Sequence, residues 1–519
     1  FYIVQGNPAS GRTLILVNGP RMQARMGITP VQSTALLNKL NELSAHPRVQ
    51  GFLVDLGGVT SLSALYTAWD ADPSSIDKAN AVLFGCHAPF PAGCAAVDRN
   101  GVQDTVRSLL GIYTGAEYLV IVGDDRIVPL ARMADQTVLL PESSYAGSPD
   151  LTATGTTVGQ ALAANRYLSD DPLALRDAVR PDELSGVLYI PDLSVGRLVE
   201  TPEDMIATVA TFISQDGVLD LSTLDPVTGH KVLVTGYDFL LDAAKSVRRR
   251  WKPALGQSTP DDSLFPVDGS LVGSTWGLAT PAARAAALRA HLAGNGGARY
   301  GIMNLDGHAN HHAEGVPGTD PFDIAGLSAI DVYGPDACGT PTAGALGLAG
   351  GVAYALGCHG GLPVAGSCAT DADHSLDLPQ AFLSRGVVAY VANTGFGWGL
   401  KNGIGYGERL SELMTEELTG GGTVPFGRAV RTSKQRYFLE TPRFDSYDEK
   451  SLMQWTLFGL PMYAVKGSAP EAALQPGDRS DSVAPALDER PAREAYGAVD
   501  VASVAVPAQV LPAYVTQLN

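Results

Sequence analysis

The chain has 519 residues, 45% of them hydrophobic and 17% charged, with a net charge of −18 and a pI near 4.9. That length implies more than one domain with ample buried core. The acidic balance repels phosphate backbones and argues against nucleic acid as a partner. No apolar run approaches the roughly 18 residues that span a bilayer.

In chain order, short β-branched runs ending in Gly or Asp predict buried parallel strands at 13–19, 51–58, 81–86, 118–125, 231–238, 300–308, 351–360 and 387–395. Segments with helical apolar spacing lie between them at 30–45, 102–113, 202–214 and 281–294. Strands alternating with helices imply an α/β fold, and there are enough strands for two mostly parallel sheets. A polar, turn-rich stretch near 215–230 divides the chain into a first α/β unit at 1–225 and a second at 226–466. From 467 to 519 the composition is that of a linker and tail, apolar again over the last 25 residues. The opening residue is Phe1 rather than Met, as in a processed or excised fragment.

The five cysteines, Cys86, Cys94, Cys338, Cys358 and Cys368, form no CxxC pair, so a structural zinc site is not expected. Two disulfides with one free thiol and five reduced thiols both fit.

In open parallel sheets, reactive groups gather at the carboxyl ends of strands. Three predicted strand ends in the second unit carry Asp238, His308 and Cys358. A thiol, an imidazole to take its proton and a carboxylate to orient the ring are the parts needed for covalent acyl transfer. Small neighbours, Gly307, Ala309, Gly357 and Gly360, leave room for a substrate carbonyl, and the Ala309 and Cys358 amides could form an oxyanion hole. The group His308, His311 and His312 lacks the Glu and the i,i+4 spacing of a zinc helix, which places His311 and His312 as exposed rim residues. Asp371, Asp373 and Asp377 alternate like the start of a calcium loop, without its glycine or its closing glutamate.

These motifs, taken together, resemble the gingipain family of cysteine peptidases, in the same clan as caspases. The likeness runs over roughly 115–466. "EYLVIVGDDRIVPL" and "ADQ" resemble the family's first strand and its Ser-Asp-Gln, "NLDGHA" the histidine motif and "ALGCHGG" the cysteine motif. "AYVANTGFGW" and "QWTLFGLPMYAV" resemble the closing strands.

The resemblance implies a caspase-like fold of two α/β subdomains with mostly parallel sheets flanked by helices. It implies a cysteine endopeptidase acting on protein or peptide substrates, with no cofactor for catalysis. His308 is then the base and Cys358 the nucleophile. Asp238 falls where the family has a glutamate near the histidine. Trp398 matches a tryptophan that covers the S1 pocket, and Asp242 lies near the position of an S1 aspartate, which raises a basic P1 preference. Structural Ca²⁺, a secreted or surface location and zymogen processing are also implied. The departures are Ala309 where the family has glycine and His359 where it has an aliphatic residue. Two other functions compete: a relative that has lost proteolysis and binds or assembles, and a metal hydrolase built on the histidine cluster.

Overall fold

The computed structural model describes residues 11–85, 100–147, 155–177, 188–223, 232–236, 240–254, 300–317, 324–333, 348–365, 376–400 and 403–467, together with 286, 288, 292, 493 and 494. Nine strands form its central sheet: β1 (Thr13–Val17), β2 (Gly51–Asp55), β3 (Tyr118–Val122), β4 (Ser194–Leu198), β5 (Val232–Val234), β6 (Ile302–Leu305), β7 (Val352–Ala355), β8 (Ala389–Asn393) and β9 (Trp455–Gly459). Their order across the sheet is β2-β1-β3-β4-β9-β8-β7-β6-β5. The two units therefore share one continuous sheet, where the sequence had suggested two.

Every pairing is parallel except one. β9 runs parallel to β4 and antiparallel to β8, from Asn393↔Trp455 to Ala389↔Gly459. The strands β1 to β4 consequently point one way and β5 to β8 the other. Full burial of β1, β3, β7 and β8 explains their unbroken apolar sequences, since helices cover both faces.

Three of the four predicted helices lie within the described residues and form as Pro30–Ala45, Val102–Ile112 and Pro202–Ser214. Thr29 with Gln32, and Thr201 with Asp204, close capping boxes at the first and third. The fourth, 281–294, falls largely outside the described residues. The run 81–86 is the end of a helix, Ile76–Phe84, and not a strand. Ser75 accepts the Lys78 N–H there, and residues 79 to 84 are buried all round, so their pattern shows no helical face. The strand predicted to run through His308 ends at Leu305; His308–Asn310 starts an antiparallel meander with Ala313–Pro317 and Ile324–Ser328.

β4, not predicted as a strand, carries a buried charge in the middle of the sheet. The Arg197 guanidinium meets Asp170 in two bonds of 2.9 and 2.6 Å and donates to the carbonyls of Gly123 and Val128. Both partners are buried, so the pair is held by geometry that satisfies nearly every donor. Arg197→Met leaves Asp170 buried without a counter-charge. It is expected to lower stability by about 3–5 kcal/mol, read as a fall in the denaturant midpoint; an unchanged midpoint would show that the pair contributes no net stability.

Candidate active site

β6 and β7 are adjacent and parallel, with Leu305 opposite Ala355. Their carboxyl ends therefore deliver the segments that follow, Asp306-Gly307-His308 and Leu356-Gly357-Cys358, side by side. Asn393 at the end of β8 pins the second segment, donating to the carbonyls of Leu356 and Gly357 at 3.0 and 3.3 Å. The missing side chain at Gly357 lets the two segments close up. A Cβ there would overlap the Ala309 methyl group and lie 3.2 Å from the Ala309 nitrogen.

His308, Cys358 and Trp398 line one small cleft, with Leu240, Leu356, Gly307, Gly357 and Gly397. Cys358 is buried, 5% exposed. The Gly397 N–H donates to its Sγ at 3.2 Å, and the Gly397 carbonyl lies 3.6 Å away. An N–H aimed at sulfur can stabilise the negative charge that forms there once the thiol proton leaves. His308 is 3% exposed, and burial lowers its pKa to about 4. Its imidazole is therefore neutral at neutral pH and able to accept a proton.

Trp398 forms the wall of the cleft and packs edge-on against Tyr447, with centroids 4.6 Å apart. The next residues, Gly399 and Leu400, pair antiparallel with Glu494 and Arg493. Asp242 is outside the cleft lining. It sits in the first turn of the helix Leu241–Ala254, half-buried, and accepts the Gly403 N–H at 2.9 Å. It is thus tied to the loop that follows Trp398, and Leu240 beside it reaches the cleft. Glu408, fully buried, accepts the N–H groups of Leu400 and Gly405 in the same loop.

Other assignments change. His311 is buried, not a rim residue: its Nδ1 lies 2.7 Å from the Tyr145 hydroxyl. His312 is partly exposed. His359 is buried with its ring against Glu142, a residue with no local sequence signal. Asp377 is the N-cap of the helix Leu378–Ser384; one oxygen accepts the Gln380 N–H at 2.7 Å and the other the Val364 N–H at 2.8 Å. Asp238, Asp371 and Asp373 lie outside the described residues, as do Cys86, Cys94, Cys338 and Cys368. Among the described residues no group of three His, Cys, Asp or Glu side chains is arranged to hold a metal ion.

A mostly parallel α/β sheet presenting a histidine and a cysteine at neighbouring strand ends matches the architecture of a thiol hydrolase. Residues 95–466 match the model of Peptidase family C25, and the chain belongs to this family of cysteine peptidases, the gingipain family. It is a hydrolase whose substrates are proteins. Among solved structures it is similar to the Arg-specific cysteine proteinase gingipain R (RgpB), at 12% identity over 90% of this chain and 81% of that one, with a TM-score of 0.46. A complex of the Porphyromonas gingivalis RgpB pro- and mature domains gives 12% identity over 87% and 79%, with a TM-score of 0.48. No curated protein matches the chain. No described helix is long and apolar enough to cross a membrane.

The capping role of Asp377 has its own test. Burial raises its pKa from 3.8 to about 7. The folded state therefore holds a proton between those values that the unfolded chain releases, and the stability contribution falls as pH rises from about 4 through 7. Asp377→Asn turns one acceptor into a donor facing an N–H. It should lower stability by about 1–3 kcal/mol, equally with calcium and with chelator in thermal melts; a calcium-dependent loss would instead make Asp377 a ligand.

Proposed function

We propose that the protein is an endopeptidase in which Cys358 is the nucleophile, His308 the general base, and a thioester acyl-enzyme the intermediate. The observation that carries this reading is the shared cleft of His308 and Cys358 at the ends of two adjacent parallel strands. The sulfur attacks the scissile carbonyl as His308 takes the thiol proton. The carbonyl oxygen gains the charge, and the Ala309 and Cys358 amides receive it. His308 then returns the proton to the departing amine, and water releases the acyl group by the same steps in reverse order.

An extended substrate is read along the edge beside Trp398. That backbone takes Glu494 and Arg493 as an antiparallel partner at Gly399 and Leu400, the pairing an incoming peptide strand would adopt on displacing them. A basic P1 residue fits the carboxylates behind Trp398. Burial raises the pKa of both Asp242 and Glu408, and among the described residues neither has a basic partner in salt-bridge reach. A cation entering beside them would favour their charged forms and be held by them. A secreted or surface location belongs to the same reading, on the strength of the family alone.

Cys358→Ala is expected to abolish peptide hydrolysis while leaving the melting curve unchanged. His308→Ala should cost a comparable factor, about 10³-fold or more, because the two act as a unit. Full activity in either variant would refute the mechanism.

The acid limb of kcat/KM should fall well below pH 6.5, because the His308 pKa is held near 4. The same shift makes stability drop as pH falls from 6.5 towards 4, where the unfolded chain takes up the proton and the folded one does not. A limb at or above 6.5 would show that His308 is not the group being titrated. On a panel of fluorogenic peptides, Arg and Lys at P1 should exceed neutral residues by about tenfold or more; equal rates would remove the proposed specificity.

A further inference from the structure

Glu142 lies outside the cleft lining, yet one carboxylate holds both flanks of Cys358. Its Oε1 accepts the Phe396 N–H at 2.8 Å. Phe396 precedes Gly397, whose N–H donates to Sγ. Its Oε2 lies 2.8 Å from Nε2 of His359, the residue directly after the nucleophile. The carboxylate fits tightly against the strand end, since a Cβ at Gly395 would overlap Oε1.

Glu142 is itself fixed from behind. Lys450 Nζ lies 2.7 Å from its Oε1 and 2.8 Å from Asp135 Oδ2, and Asp135 Oδ2 also accepts the Glu142 N–H at 3.0 Å. All three side chains are buried. Burial alone would raise the Glu142 pKa, but Lys450 and His359 outweigh it and hold it at about 2. The group is thus an anion at any working pH.

The residue that Glu142 grips has an unusual backbone. His359 has φ of 55°, the left-handed region that side-chain-bearing residues rarely adopt. Three contacts hold it there. One is Glu142. The second is its N–H donating to the Gly395 carbonyl at 2.8 Å. The third is stacking on Tyr145, centroids 3.6 Å apart and planes within 11°. The Tyr145 hydroxyl meets His311, so the cluster also touches the segment that carries His308.

We propose that Glu142 is a positioning residue for the nucleophile: by clamping Phe396 and His359 it keeps the Gly397 N–H aimed at the Cys358 sulfur and so stabilises the negative charge that forms there as His308 takes the proton. This rests on Cys358 being the nucleophile. Glu142 meets no substrate in this scheme, so its loss acts on turnover and not on binding. A displacement of about 1 Å at a reacting group is enough to cost about 100-fold.

The test compares Glu142→Gln, Glu142→Asp and His359→Asn with the unaltered protein, alongside Cys358→Ala. Asn suits the left-handed backbone at 359 but removes the stacked ring. Three readouts are taken per folded molecule: kcat, KM, and the pH midpoint of Cys358 alkylation by iodoacetamide. Glu142→Gln should lower kcat by about 10- to 100-fold, leave KM within about threefold and move the alkylation midpoint upward. Glu142→Asp should recover part of that loss, and His359→Asn should shift kcat and the midpoint in the same direction. A lower melting temperature with unchanged kcat and midpoint would overturn the proposal, because Glu142 would then be merely structural. Should Glu142→Gln fail to fold, His359→Asn decides on the same readouts. Full activity in Cys358→Ala would instead defeat the reading beneath it, whatever Glu142→Gln does.

Discussion

The antiparallel contact between β8 and β9 is the constraint on which the rest of the architecture depends. It reverses the strand direction in the middle of the sheet, so the carboxyl ends of β1 to β4 emerge at one edge and those of β5 to β8 at the other. Close backbone approach makes that junction possible. A Cβ at Gly196 would lie 2.7 Å from the Gly459 carbonyl oxygen, and Gly459 itself has φ of 101°. A side chain at Gly196 would push β4 and β9 apart, and one at Gly459 would overlap the Val388 carbonyl just before β8. The Arg197–Asp170 pair then sits beside this seam, fixing β4 to the turn after the Ala131–Ala134/Arg166–Ser169 hairpin.

Buried charge is handled differently on the two sides of the seam. Towards the first half, buried cations answer buried acids: Arg197 with Asp170, Lys434 with Asp171, and Lys450 with Asp135 and Glu142. Around the cleft, Asp306, Glu314 and Glu408 are buried, and burial raises the pKa of each well above the carboxylate range. Among the described residues, each has at least one oxygen without a hydrogen-bond partner. Burial disfavours the charged form of each, which weakens the negative field they place on the thiol and the imidazole. A strongly anionic cleft would oppose thiolate formation, and burial of these acids works against that.

The sequence made the two chemical groups legible because each follows a buried strand and a glycine, a local pattern that needs no tertiary knowledge. His308 and Cys358 could be read this way, and Trp398 through its motif. Glu142 could not, because it lies 217 positions from His359 in the chain, and only the fold brings them together. The same limit misplaced His311, whose partner Tyr145 is 166 positions away. Asp377 looked like a ligand because alternating acids suggest a calcium loop, whereas its carboxylate closes a helix that the pattern did not reveal. The 81–86 run failed for a different reason: a helix buried on all sides loses the periodicity that identifies it.

The reversal at β9 also explains how the first half can serve a site its strands point away from. It reaches the cleft through the excursion between β3 and β4. Thr394 donates to the Leu168 carbonyl and Ser169 to the Met453 carbonyl, each at 2.6 Å, and Glu142 and Tyr145 lie on the same excursion. β1 and β2 make no such approach, being the outermost strands on the side opposite β5. The family match begins at residue 95, after both of them and before β3. The part of the chain that defines the family is therefore the part that either builds the cleft or braces it, while β1 and β2 extend the core without touching the chemistry.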